Sequence, residues 1–64
     1  MALEIANDFM ADDNPDVVRY ITGNREAKEV YNELLSLDYW SAVLFNEYWH
    51  SYRITGRVPE RHAA

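Results

Sequence analysis

Residues 37–52 read LDYWSAVLFNEYWHSY, a stretch long enough for a helix and dense in aromatic side chains. It contains no glycine or proline, the residues that most often interrupt a helix. Its aromatic residues are Tyr39, Trp40, Phe45, Tyr48, Trp49 and Tyr52. One helix in a chain of 64 residues cannot easily cover this much apolar surface within its own fold. An excess of this kind is typical of a surface that meets a partner.

A helix over this stretch would be apolar on two sides at about 100° per residue. The broader side is the one we expect to form the core: Leu44, Phe45, Tyr48, Trp49 and Tyr52. The second side carries Tyr39, Trp40 and Val43, and we expect the partner there because Trp and Tyr dominate binding hot spots. We also include Trp49 and Tyr52 in the predicted partner-binding set. The alternative is that all six aromatic side chains fill a single core.

The pattern in the first third of the chain predicts short helices. Residues 3–11 carry apolar side chains at helical spacing, and a boundary follows at residues 12–16. Asn14 suits the N-cap of a second helix that begins at Pro15. The tripeptide Ile-Thr-Gly occurs at residues 21–23 and again at 54–56. Each glycine is predicted to end a helix in the left-handed conformation.

An amphipathic helix is predicted from Asn24, which we expect to be its N-cap, to Leu37. Asp38 then suits the N-cap of a separate aromatic helix, and the fold we expect is an all-α, small three-helix domain. The alternative is one continuous helix over residues 24–53, and therefore a helical hairpin, because the apolar spacing continues across Asp38. We expect a single domain over residues 1–64, with a flexible tail at 57–64 that contains Pro59.

Charge is unevenly distributed along the chain, whose net charge is −5. The excess of acid lies in the first 38 residues, and Arg53, Arg57 and Arg61 lie after it. An acidic body opposes binding to nucleic acid and to anionic membranes, and it favours a protein target with a basic surface. Glu26, Glu29 and Glu33 form a stripe that could contact such a target, and a solvated helix face is the alternative.

The size of the chain also points to association. A domain of this length buries only about 60% of the surface that its unfolded chain exposes, so self-association is a common support. We therefore expect a homodimer. Cysteine is absent, and no basic leader or uncharged apolar segment of membrane-spanning length occurs. These features predict a cytoplasmic protein without membrane contact.

The sequence offers little that could carry chemistry. Glu47 and His50 form a Glu-x-x-His pair, which occurs in carboxylate-bridged metal sites but is equally ordinary as a surface pair. A small metal-binding oligomer that uses this pair is one alternative function. Neither a nucleophile constellation nor a phosphate-binding loop is present, so we expect neither an enzyme nor a cofactor.

The functional hypothesis is a small acidic interaction module, an inhibitor or adaptor that binds through the aromatic helix. Carboxylates spaced along a rigid helix can imitate a row of phosphates, as in small acidic inhibitors of nucleic-acid-handling proteins, some of them encoded by phages. This analogy rests on size and charge alone. A DNA-associated regulator that uses Arg53, Arg57 and Arg61 is the remaining alternative.

Overall fold

A computed structural model describes residues 1–58 of the chain. Helix α1 spans Ala2–Asp12, α2 spans Asn24–Leu37 and α3 spans Tyr39–Thr55. A 3₁₀ helix, Pro15–Tyr20, connects α1 to α2. The described residues contain no strand, and the prediction of an all-α fold is confirmed. Helix α2 packs against both α1 and α3, and the 3₁₀ helix lies against α1 and α3.

The second predicted helix is a 3₁₀ helix of six residues rather than an α-helix. Its predicted start is correct, because the Asn14 side chain accepts a hydrogen bond from the Asp16 backbone N–H at 3.0 Å. The segment is short because Ile21 already adopts an extended conformation that directs its side chain into the core. Val17 and Val18 are buried on the same connection, so packing rather than helix propensity determines its path.

The two Ile-Thr-Gly sequences have different conformations. Gly56 has φ 70° and ends α3 in the left-handed region, with its N–H bonded to the Tyr52 carbonyl at 2.8 Å, as predicted. Gly23 has φ 178°, so the prediction that it closes a helix in the left-handed conformation is wrong. It stands instead at the N-cap of α2, and Asn24 is the first helical residue rather than the cap.

Asp38 separates α2 from α3, so the continuous helix over residues 24–53 and the hairpin built on it are wrong. Its backbone is extended, at φ −161° and ψ 107°, and it belongs to both helix ends. The Asp38 N–H bonds to the Leu34 carbonyl at 2.7 Å, and its carboxylate accepts from the Trp40 N–H at 3.1 Å. The second carboxylate oxygen accepts from the Ser41 hydroxyl at 3.1 Å. Side-chain capping thus makes the corner without glycine or proline.

The core is formed where α1, α2 and α3 meet. Its largest fully buried side chains are Phe9, Phe45, Leu34, Val17, Val18 and Val30. The rings of Phe9 and Phe45 meet edge to face, with centroids 5.6 Å apart. Val58 also packs against this core although it belongs to the predicted flexible tail, and the rest of that tail, residues 59–64, lies outside the described residues. None of the described helices is long and apolar enough to cross a membrane.

Candidate functional site

The side of α3 that points away from the core carries an unusual amount of apolar surface. We call it the outer face of α3 and define it as Tyr39, Trp40, Val43, Glu47, His50 and Ile54. At about 100° per residue these positions fall within an arc of about 100°. All of them are exposed except Val43, which is half-buried. The outer face is therefore a continuous stripe along the helix, with one carboxylate and one imidazole between apolar side chains.

The aromatic pair at the start of α3 is the most exposed part of that stripe. Trp40 is 75% exposed and Tyr39 is 59% exposed, and their rings meet edge to face at 5.4 Å. Leu37, at the end of α2, is 48% exposed just before them. The Asp38 cap fixes the first turn of α3 at this corner, and the Trp40 backbone is held by it. Tyr39, Trp40 and Val43, which the sequence assigned to a partner, thus share one side of α3.

Trp49 and Tyr52, which the sequence also assigned to a partner, lie on the other side of α3. Both are half-buried and pack against the core, and their ring centroids are 6.2 Å apart. Phe45 is buried, and Leu44 and Tyr48 pack against the core as well, as the sequence predicted for this side. The structure therefore divides the predicted partner-binding aromatic residues into two separate groups.

Trp49 borders a groove between α2 and α3, with a volume of about 210 Å³. We call it the α2–α3 groove. Its apolar floor is formed by Ala27, Tyr31, Phe45 and Trp49. Its polar rim is formed by Asn24, Lys28, Asn46 and Arg53. Within residues 1–58, no aspartate or glutamate lines it, which is unusual for a chain with a net charge of −5.

The predicted acidic stripe on α2 is only partly available to a partner. Glu26 accepts a hydrogen bond from the Thr22 backbone N–H at 2.9 Å and so supports the start of α2. Glu29 lies 3.5 Å from the Arg25 guanidinium, an exposed pair of the kind that contributes little to stability. Glu33 is half-buried. The first turn of α2 has no side-chain cap, so the capping role that the sequence assigned to Asn24 is not filled, and Glu26 instead holds the residue before Gly23.

Glu47 and His50 lie together on the outer face of α3, where both are exposed. Within residues 1–58, the structure brings together no group of three or more His, Asp or Glu side chains that could hold a metal ion. The pair therefore lacks, among the described residues, the additional carboxylates that the metal-binding alternative requires. Arg53, one of the arginines assigned to the DNA-binding alternative, borders the α2–α3 groove.

Three residues of these surfaces were not predicted from the sequence: Lys28, Asn46 and Ile54. Ile54 is 68% exposed on the last turn of α3 and extends the outer face beyond the aromatic stretch. Its place on the stripe follows from helical spacing alone. Lys28 and Asn46 are polar residues on two different helices, and no spacing in the sequence indicates that they border one groove.

Comparison of the chain with protein-family models, with curated proteins and with solved structures finds no match.

Proposed function

We propose that the protein is a non-enzymatic interaction module that binds a protein target through the outer face of α3. The observation that carries this proposal is the exposure of Trp40 beside Tyr39 and Leu37 at the α2–α3 corner. Trp is among the residues that contribute most to protein interfaces, and a neighbouring tyrosine supplies rigid contact area at low entropic cost.

The exposure of Trp40 has no evident benefit for folding. Its backbone N–H donates a hydrogen bond to the Asp38 carboxylate, and any residue except proline can provide that N–H. Burying a large apolar side chain is favourable by about 1.5–3 kcal/mol, and Trp40 gains little of this within the chain. Contact with a partner would recover that free energy. The same reasoning applies to Ile54 at the other end of the outer face.

Charge favours a target with a basic surface. The chain has a net charge of −5, and Glu47 lies within the outer face while Glu29 is exposed on α2. Complementary charge accelerates association and excludes acidic partners more than it adds affinity. We propose a phage-encoded inhibitor or adaptor in the cytoplasm, with a nucleic-acid-handling protein as the target class. Because the Glu26 carboxylate is bonded to the Thr22 N–H, imitation of a phosphate row would depend on Glu29 and Glu33.

The decisive experiment is affinity capture from the native host with matched variants. Tagged wild type is compared with Trp40→Ala and with Tyr20→Ala, which removes a 55% exposed aromatic side chain from a different element. We expect at least one partner to be retained by wild type and by Tyr20→Ala and to be lost with Trp40→Ala. A hot-spot residue contributes about 2 kcal/mol or more, so affinity should fall about 30-fold. If Trp40→Ala retains every protein that wild type captures, the outer face is not the binding surface.

Self-association through the same face is the second candidate, and a specific register favours it. If two outer faces pack antiparallel with Val43 opposite Ile54 of a second copy, then Glu47 stands opposite His50 of that copy. Val43 and Ile54 then meet as an apolar pair, and the carboxylate meets the imidazole. A twofold interface of this kind repeats each contact, so every pair occurs twice.

The absence of cysteine makes this register directly testable. The double variant Val43→Cys, Ile54→Cys should form a disulfide-linked dimer under mild oxidation, whereas neither single variant should do so efficiently, because a disulfide requires Cα atoms within about 7 Å. Light scattering of the wild-type protein measures the mass independently. A monomer at all concentrations, together with no cross-link in the double variant, would exclude the homodimer and leave the outer face to a different partner.

A further inference from the structure

The rim of the α2–α3 groove carries positive charge, although the molecule as a whole is acidic. The chain contains 6 Lys and Arg residues against 11 Asp and Glu residues. Two of the cations, Lys28 and Arg53, reach this one groove from opposite helices, and no carboxylate of the described part of the chain lines it. Among residues 1–58, ion pairs are formed by Arg19 with Asp16 and by Arg25 with Glu29, so the groove receives cations that have no such pair.

The floor of the groove suits an apolar side chain. Trp49 and Tyr31 are half-buried there, and Phe45 and Ala27 are buried beneath them. Aromatic walls of this kind contact an aliphatic or aromatic side chain over a large area. The amides of Asn24 and Asn46 lie on the rim, where they can donate to and accept from a peptide backbone.

The size of the groove distinguishes between classes of ligand. Pockets that enclose a drug-sized molecule have volumes of about 300–1,000 Å³ and bury most of the ligand. This groove, at about 210 Å³, is smaller and lies open between two helices. It can accommodate one large side chain while the rest of the ligand remains outside, on the rim where Lys28 and Arg53 lie.

We propose that the α2–α3 groove binds an acidic peptide segment of a partner protein, with one large apolar side chain on the aromatic floor and flanking carboxylates beside Lys28 and Arg53. The guanidinium can hold a carboxylate through two parallel hydrogen bonds, and the ammonium acts as a point charge. This site is separate from the outer face of α3 and takes the opposite charge, so it does not depend on the function proposed above.

Trp49 provides an internal reporter for this site. The chain has two tryptophans, and Trp40→Phe leaves Trp49 as the single one, on the wall of the groove. Three capped peptides serve as probes: Asp-Glu-Phe-Glu-Asp, Lys-Lys-Phe-Lys-Lys and Asp-Glu-Gly-Glu-Asp. We expect a saturable change in Trp49 emission with the first peptide and none with the basic one. The peptide without an apolar side chain should bind at least about tenfold more weakly, because the floor remains empty.

Two double variants of equal charge test the role of the rim. Lys28→Ala with Arg53→Ala should weaken binding of the acidic peptide at least about tenfold, because both charge-assisted contacts are lost. Arg19→Ala with Arg25→Ala removes the same net charge away from the groove and should change affinity less than about threefold. All four residues are exposed, so we expect both double variants to retain their helices. Circular dichroism of each variant verifies this.

Several results would overturn the proposal. Equal losses in the two double variants would show general electrostatic attraction rather than a site. N-acetylphenylalanine, which has a single carboxylate, binding as tightly as the acidic peptide would make the groove a site for a small aromatic acid. A change in Trp49 emission on raising the protein concentration alone, with a doubled mass by light scattering, would assign the groove to a second copy. An unaltered Trp49 emission at millimolar acidic peptide would leave no site.

Discussion

The two sides of α3 have similar composition but opposite environments. On the inner side, Phe45 is 1% exposed and meets the Phe9 ring edge to face. On the outer side, Trp40 is 75% exposed and contacts the ring of Tyr39, its own neighbour in the chain. Both sides belong to one continuous helix and both are aromatic. The direction of a side chain around the helix, rather than its hydrophobicity, therefore separates the core from the candidate interface.

Helices α1 and α2 cover only one side of α3. Two helices and a short 3₁₀ segment enclose one side of α3 and leave the other without a neighbour among residues 1–58. A helix with apolar residues on all sides is normally buried on several sides. The uncovered side is therefore the part of the molecule where an external partner would add most apolar contact.

The largest effect should come from the inner side of α3. Phe45→Ala should destabilise the domain by about 3–5 kcal/mol, because it removes a buried ring and leaves a cavity beside Phe9. Such a loss is a large fraction of the stability of a small domain, so the variant should be mostly unfolded at room temperature. Urea denaturation followed by circular dichroism measures this. A Phe45→Ala variant as stable as wild type would mean that the inner side is not the core.

Loss of the corner between α2 and α3 should have the next largest effect. Asp38→Ala removes the cap of the Trp40 N–H and leaves the hydroxyl of buried Ser41 without its acceptor. The expected destabilisation is about 2 kcal/mol in the same urea assay. Asp38→Asn retains one side-chain oxygen for the cap and should lose about half as much. Equal stability of wild type and Asp38→Ala would show that the carboxylate does not hold the corner.

The two glycines form a matched pair, with Gly56 at the end of α3 and Gly23 at the start of α2. Gly56→Ala places a Cβ atom on a residue with φ 70° and should cost about 1–2 kcal/mol. Gly23→Ala meets no atom within 4 Å and keeps an extended backbone, so stability should change by less than about 0.5 kcal/mol. Thermal melts of the two variants, recorded side by side, check this. Equal shifts in the midpoint would contradict the difference in backbone conformation.

The smallest effect on stability should come from the outer side of α3. Trp40→Ala should change the free energy of unfolding by less than about 0.5 kcal/mol, because the side chain is exposed and alanine favours the helix. The variant tests the comparison most sharply when it is measured beside Phe45→Ala. A loss of 2 kcal/mol or more, about the value for burying a large side chain, would show that Trp40 belongs to the core.

Local chemistry made the helix termini only partly predictable. Asn14 and Asp38 act as the predicted caps because each needs only its own carbonyl or carboxylate oxygen and an N–H two residues later. Gly23 and Asn24 were assigned wrongly because an isolated glycine is compatible with both ends of a helix. The side chain of Glu26, in the first turn of α2, accepts a hydrogen bond from the Thr22 N–H just before this start, and no side chain caps the helix itself. The path of residues 15–21 was missed because burial of Val17, Val18 and Ile21 overrides helix propensity.

The candidate surfaces were also only partly predictable from the sequence. Tyr39, Trp40 and Val43 share one side of α3 because spacing along a helix fixes direction, so the sequence could group them. The groove that Lys28 and Arg53 border could not be read from the sequence, because these residues are 25 positions apart on different helices.

The helical class, the aromatic helix with its two apolar sides and the net charge of −5 follow from the sequence alone, which left the cap at Asp38 open against a continuous helix. These properties depend on neighbours within a few residues. Only the tertiary structure decided that α1 and α2 cover the side of α3 that holds Phe45, and that Trp40 and Ile54 remain in water. That choice depends on which faces fit together at close-packed density, a property of three helices at once rather than of any single stretch.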